Sequence, residues 1–145
     1  MTDLEKAKSA LGGHSIALCR GESLVTDDSR GIAPMMKFIG EGRDLRGSSA
    51  ADLVVGRAAA FLFIKAGISA VYAENLSRGG LELLEKAGIY TEYKNLAEYI
   101  LNRRGDGICP MEDAVASAEN LDDAYLLIKK RMSELKAAAE SGKTS

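Results

Sequence analysis

The sequence predicts an α/β protein in which helices cover both faces of a sheet. Segments with strand character alternate with segments of helical spacing, and glycines separate many of them. Two of the strand-like segments lie on either side of a short glycine turn, as in a hairpin. Later strands are separated by helix-length segments, which is typical of right-handed crossovers on a parallel sheet.

The first part of the chain predicts a helix, a hairpin and a second short helix. The first helix spans Leu4–Leu11 and ends at Gly12-Gly13. The strands of the hairpin are Ser15–Arg20 and Ser23–Thr26. Pro34 suits the first turn of a helix that ends at about Ile39.

The most apolar segment predicts a helix from about Ala50 to Lys65. Ser49 and Asp52 are spaced as a capping box at its start, and Gly67 ends it. The alternation then continues with a strand, a helix and a strand, which span Ser69–Ala73, Leu81–Lys86 and Ile89–Tyr93.

Two helices are predicted in the last part of the chain, Met111–Ala118 and Leu121 to about Glu140, with Asn120 as the cap of the second. The last helix carries an apolar stripe that either packs on the sheet or forms a subunit interface, as in a homodimer. Its members are Leu121, Ala124, Tyr125, Ile128, Met132 and Leu135. Residues 1–140 are predicted to form one domain, and residues 141–145 a disordered tail.

Composition restricts the class of protein. The chain has 145 residues, a hydrophobic fraction of 46% and a net charge of −2, as expected of a globular protein without general attraction to nucleic acid or anionic membranes. No apolar run reaches the ~20 residues of a membrane span, and the N-terminus lacks a signal peptide core. Because Cys19 and Cys109 make no disulfide framework, we expect a cytoplasmic protein.

A loop between two apolar patterns, Asn102–Glu112, combines cations, glycines, a thiol and a carboxylate. Arg103 and Arg104, with the amides of Gly105 to Gly107, could bind an anion or could be solvated loop charges. Cys109 could be a reactive nucleophile or a buried small apolar residue.

Three segments carry a resemblance to a known family: Asp28–Pro34, Ala51–Ala60 and Asn102–Glu112. Together they resemble domain-of-unknown-function family 1893, small prokaryotic proteins with a cytidine-deaminase-like fold, from about Ser15 to Ala118. The resemblance implies a three-layer α/β/α sandwich with a mixed sheet. It implies no deaminase activity, because the activity of the family is not established.

The sequence departs from true deaminases in the residues that would bind zinc. Those enzymes hold zinc with a histidine or cysteine and two further cysteines. The predicted helix Ala50–Lys65 has neither residue type, the chain has no CxxC, and its one histidine is His14. We therefore expect no metal and no cofactor.

Other candidate site residues lie around the predicted helix Ala50–Lys65. Asp52 could be a base or a ligand for a hydroxyl group, or only a helix cap, and Ser49 and Gly56 would share its helical stripe. Gly56 could admit close packing or a ligand. Arg57 interrupts an apolar run. Its guanidinium could pair with a carboxylate such as Glu112 or Asp28, bind an anionic ligand, or reach solvent as a snorkelling side chain.

We expect these segments to meet in one pocket, since ligands collect at the carboxyl ends of strands in α/β sheets. Asp52, Cys109 and Arg103 or Arg104 should line it together with Asn102, and Asp28 and Arg30 could add a third wall. Three functions stay open: binding of a small anionic or nucleotide-like ligand, a metal-free enzyme that uses Cys109 or Asp52, and a structural or partner-binding subunit.

Overall fold

The computed structural model of the protein describes residues 1–102 and 104–143. The strands in chain order are β1 (Ile16–Arg20), β2 (Ser23–Asp27), β3 (Ser49–Val55), β4 (Ala70–Ser77) and β5 (Tyr90–Ala97). The helices are α1 (Asp3–Ala10), α2 (Ala33–Gly40), α3 (Arg57–Ala66), α4 (Arg78–Lys86), α5 (Pro110–Ala114) and α6 (Leu121–Lys143).

The five strands form one mixed sheet in the order β2-β1-β3-β4-β5. β1 is antiparallel to both β2 and β3, whereas β3, β4 and β5 are parallel. The β1–β2 hairpin turns at Gly21, which has a φ of 62° that suits glycine. The predicted α/β class, the N-terminal hairpin and the later parallel crossovers are confirmed.

β3 corrects the prediction of one helix from Ala50 to Lys65. The first part of that segment is the central strand of the sheet, and the helix begins only at Arg57, after Gly56. A strand between two others and covered on both faces loses the polar–apolar alternation that marks a strand in sequence. Ser49 and Asp52 are therefore strand residues, the predicted capping box is wrong, and the two do not share a helical stripe with Gly56.

The sheet lies between unequal layers of helix. On one face, Ala7 of α1 and Leu11 at its end pack against Ala17 and Cys19 of β1 and Ala51 of β3. The other face carries the larger core, to which α3 supplies six buried apolar side chains and α2 supplies three. Phe63 of α3 is fully buried there. One short helix on the first face leaves much of β5 uncovered.

The ends of the helices follow the local sequence. Thr2 caps α1 and Ser77 caps α4 by accepting hydrogen bonds from Glu5 N–H and Gly80 N–H. The Asn120 side chain accepts from Asp123 N–H at the start of α6, at 2.8 Å. Gly67 ends α3 in the left-handed conformation, with a φ of 77°.

The apolar stripe of α6 packs inside the domain, with Ala124 and Ile128 fully buried in the core beside α3 and α5 rather than directly on the sheet. α6 continues to Lys143, past the predicted end at about Glu140, so residues 141–143 are helical and not the predicted tail. Residues 144–145 lie outside the described residues. Across the described chain, no helix combines the length and the apolar character needed to cross a membrane.

Candidate functional site

A cleft of about 750 Å³ opens where β3 ends, between the start of α2, the segment that precedes α5, and α6. Its polar lining consists of the side chains or backbone of Ser15, Arg30, Asp52, Asn102, Arg104 and Cys109. Its volume lies in the range of small-molecule binding sites. The cleft therefore joins segments that are distant in sequence at the carboxyl end of a central strand.

Asp52 lies in the wall of this cleft and is only 6% exposed. Its register partners are Ile16 of β1 and Ala73 of β4, so the carboxyl group is flanked by apolar residues. Its Oδ1 accepts a long hydrogen bond from Val54 N–H at 3.5 Å. Burial raises the pKa of Asp52 to about 8, although the backbone N–H groups of Val54 and Leu53 oppose the shift. Burial therefore favours the neutral, protonated form of the Asp52 carboxyl group.

Ser15 holds the segment after β2 against the end of β3. Its hydroxyl contacts two carbonyl oxygens, that of Asp27 at 2.8 Å and that of Ser29 at 2.6 Å. The Ser15 carbonyl oxygen in turn accepts from Leu53 N–H at 3.2 Å. These bonds place Arg30, the next residue along the segment, on the rim of the cleft.

The opposite rim is a small hairpin-like loop. Leu101 and Ile108 form an antiparallel bridge, and Asn102 N–H donates to Gly107 O at 2.8 Å. The Asn102 side chain accepts from Gly105 N–H at 2.9 Å, and Gly105 has a φ of 75°. The Gly105 amide is thus used inside the loop, so the predicted anion site on the amides of this loop is wrong for that residue.

Apolar side chains make up most of the remaining wall. They come from the residue before α2, from β3, from the loop, from α5 and from α6: Ile32, Leu53, Val54, Ile100, Leu101, Met111, Met132 and Leu135. Leu53, Val54, Leu101 and Leu135 are exposed, although they are large apolar residues. An exposed apolar surface of this kind is typical of a binding site.

Glu112 and Gly56 form a second arrangement outside the cleft. The two carboxylate oxygens of Glu112 accept from Arg57 N–H at 2.7 Å and from Ala58 N–H at 2.8 Å, at the start of α3. A β-carbon at position 56 would overlap this carboxylate, which explains the glycine. Gly56 thus allows close packing, and the neighbour that packs against it is the Glu112 side chain.

The Arg57 side chain makes neither of the two carboxylate contacts that were offered among its alternatives. Glu112 contacts the Arg57 backbone rather than its guanidinium. Asp28 Oδ1 instead accepts a hydrogen bond from His14 Nδ1 at 2.6 Å. Within residues 1–102 and 104–143, no ion pair involves the Arg57 side chain, whose aliphatic part lies against Gly79.

Only some of the predicted site residues line the cleft. Asp52, Arg30, Asn102, Arg104 and Cys109 line the cleft. Those that do not line it are Ser49, which is buried within β3, and Gly56, Arg57, Glu112, Asp28, Gly105 and Gly107. Arg103 lies outside the described residues. The apolar wall was not predicted from the sequence. The exposed end of the apolar stripe on α6 could have indicated it.

No group of three or more His, Cys, Asp and Glu side chains is placed to hold a metal ion in the described part of the chain. The residues at the starts of α3 and α5 do not fit a deaminase zinc centre, because Glu112 binds backbone amides there and no histidine is present.

We expect protein purified without chelator to contain far less than one zinc per chain, because the ligands are lacking. Elemental analysis by mass spectrometry measures the zinc content directly. The melting temperature should be the same with and without EDTA. Stoichiometric zinc, or unfolding on chelation, would contradict this expectation.

Comparisons with known proteins agree with the fold. The family model described as TM1506, domain of unknown function (DUF1893), matches residues 6–132. A solved DUF1893 family protein (TM1506) from Thermotoga maritima is 24% identical, with a TM-score of 0.77, over 92% of this chain and 91% of that chain.

A second solved structure is similar over a smaller part. It is a diaminohydroxyphosphoribosylaminopyrimidine deaminase/5-amino-6-(5-phosphoribosylamino)uracil reductase from Thermotoga maritima, 18% identical, with a TM-score of 0.43. The match covers 63% of this chain and 34% of that chain. No curated protein matches the chain. Because the family model spans most of the sequence, the chain belongs to the DUF1893 family, whose shared domain is of unknown function.

Proposed function

We propose that the cleft binds a small organic ligand with an apolar or aromatic body and an anionic group, such as a nucleotide-like molecule. The observation that carries this proposal is a buried carboxyl group, Asp52, in the wall of an open and largely apolar cleft. A carboxyl group with a strongly shifted pKa inside a cleft is typical of functional sites.

Asp52 supplies the polar recognition at the base of the site. As a neutral acid it carries one O–H donor and one carbonyl acceptor side by side. An amide or carboxyl edge, as on a heterocyclic base, offers the complementary acceptor and donor. Such a ligand would replace the long Val54 contact with full hydrogen bonds, which is favourable because the Asp52 side chain is buried.

Arg30 and Arg104 supply the charge recognition at the rim. Both side chains are exposed, and neither makes an ion pair with any described residue. Guanidinium groups bind carboxylate and phosphate oxygens through pairs of hydrogen bonds. A ligand that spans the cleft would therefore place its uncharged end near Asp52 and its anionic end near the arginines.

Titration calorimetry with the four common ribonucleoside monophosphates and with 8-anilinonaphthalene-1-sulfonate tests the proposal. We expect at least one probe to bind, and Arg30→Ala and Arg104→Ala each to weaken it about tenfold, the effect of losing ~1.4 kcal/mol. Lys129→Ala removes an exposed charge on α6 away from the cleft and should leave the affinity unchanged. Absence of binding by all five probes, or equal binding by every variant, would contradict the proposal.

A metal-free enzyme is the second candidate, because Cys109 is partly exposed in the same cleft as Asp52. Asp52 would exchange protons with the substrate and Cys109 would act as the nucleophile. In that case iodoacetamide should modify Cys109 faster than a free small-molecule thiol at pH 7, while the buried Cys19 serves as the internal control. A rate of reaction with iodoacetamide no faster than that of the free thiol would argue against an enzyme that uses Cys109. Ligand binding would then remain the proposed function.

A further inference from the structure

β5 is the last strand of the sheet, and its outer edge is open. The strand is eight residues long, and Tyr90 and the residues from Tyr93 to Ala97 are exposed. Its register with β4 advances in step from Ala70↔Tyr90 to Ser77↔Ala97, so it contains no bulge. It also contains no proline. The usual features that prevent an edge strand from pairing are therefore largely absent, and one lysine, Lys94, remains.

The backbone groups of β5 alternate between β4 and the outer edge. Tyr90 N–H donates to Ser69 O on the β4 side, so the groups of Tyr90, Glu92 and Lys94 point inward. The N–H and C=O groups of Thr91, Tyr93 and Asn95 then point outward. No backbone partner outside the β4 ladder is found for them among the described residues.

We propose that this edge pairs with β5 of a second copy of the chain, antiparallel and centred on Tyr93, which joins two five-stranded sheets into one. In this register Tyr93 faces its own copy as a hydrogen-bonded pair, and Thr91 exchanges hydrogen bonds with Asn95. All outward backbone groups from Thr91 to Asn95 are then satisfied. The pairing is symmetric, as expected of a twofold dimer.

Charge selects this register over its neighbours. Centring on Tyr93 places Glu92 opposite Lys94 of the other copy, and the twofold axis repeats that contact. A register centred on Glu92 would instead place Glu92 opposite Glu92 of the other copy. A register centred on Lys94 would place Lys94 opposite Lys94 of the other copy. Tyr90 would face Leu96 in the chosen register. The pairing covers Tyr90, Tyr93 and Leu96, which are 62%, 44% and 37% exposed.

Sedimentation velocity over a concentration series tests the proposal with charge-reversed variants of the full chain. The parent protein should dimerise, and Glu92→Lys and Lys94→Glu should each weaken the dimer about tenfold, since two opposed pairs become repulsive. The combined exchange, Glu92→Lys with Lys94→Glu, should restore the parent affinity. A parent protein that is monomeric throughout, or an exchange that does not restore the dimer, would overturn the proposal.

Two controls separate the pairing from other effects. Glu92 also lies 3.8 Å from Lys8 of α1, so Lys8→Ala removes that contact without adding a like charge and should leave the dimer unchanged. Tyr93→Cys should form a disulfide-linked dimer under oxidation, because the two copies meet at this residue. Leu24→Cys on the opposite edge strand β2, also an exposed position, should stay monomeric on non-reducing gels. Equal cross-linking at both positions would contradict the β5 interface.

Discussion

Replacing Asp52 with asparagine is expected to stabilise the folded protein at neutral pH by about 4 kcal/mol, with almost no effect near pH 4. The Asp52 carboxyl group is buried among apolar residues, and burial raises its pKa to about 8. The amide of asparagine has nearly the same shape and never ionises. The variant therefore keeps the packing, and its free energy of unfolding no longer contains the pH-dependent loss that the buried carboxyl group causes.

The sign follows from the two states of the chain. The unfolded protein loses the Asp52 proton near pH 4, whereas the folded protein retains it to about pH 8. Between these values the folded state binds the additional proton, so this residue makes the free energy of unfolding fall as the pH rises. Below pH 4 both states are protonated, and the contribution disappears.

Urea denaturation of parent and variant from pH 4 to pH 9 measures the difference. Asp27→Asn is a useful contrast, because the Ser29 N–H bond holds the pKa of Asp27 below its ordinary value. Asp27 stabilises the fold above its unfolded pKa and loses that effect as the pH falls through its folded pKa, so the sign is opposite. A gain for Asp52→Asn that is constant across pH would show that the carboxyl group is already ionised in the fold.

A gain in stability from this substitution bears on function. Residues that weaken a fold are typical of sites that need a particular chemistry. If Asp52→Asn also lowers the affinity for the probes, the neutral acid and not merely the cavity is what the ligand recognises. If the affinity is unchanged, the arginines and the apolar wall dominate recognition.

The parts of the fold that the sequence predicted depend on local signals. The hairpin turn at Gly21, the proline at the start of α2 and the Asn120 cap are specified by residues within a few positions. β3 was missed, because its alanines suit a helix and its burial within the sheet removes the alternation. Val54 and Val55 before Gly56 were the local evidence for a strand.

The candidate site was only partly predictable for the same reason. Asp52 lies within β3 and Cys109 directly precedes α5, and the general rule for α/β sheets suggested that they meet Arg104. Their functional role stays a prediction. Glu112 was named as a possible partner of Arg57, but its contact with the amides of Arg57 and Ala58 could not be inferred, because backbone amides 54 and 55 residues earlier have no sequence signature.

Replacing Glu112 with alanine is expected to destabilise the protein by about 3 kcal/mol, because two charge-assisted hydrogen bonds to the start of α3 are lost. The Arg57 and Ala58 amides would be left without these acceptors, and the carboxylate would no longer oppose the positive end of the helix dipole. Glu112→Gln should cause a smaller loss, since its amide oxygen can still accept one bond.

Gly56→Ala should produce a loss similar to that of Glu112→Ala, by displacing the same carboxylate. The φ of −110° and ψ of −162° at Gly56 are open to alanine, so the effect is steric and not backbone strain. The two substitutions remove one interaction, so their combination should cost about 3 kcal/mol rather than the sum of about 6 kcal/mol. Glu119→Ala, at an exposed glutamate nearby, should change the free energy of unfolding by less than about 0.5 kcal/mol. Additive losses in urea denaturation would mean that a neighbour other than Glu112 requires glycine at position 56. Contacts other than the Glu112 carboxylate would then hold the starts of α3 and α5 together.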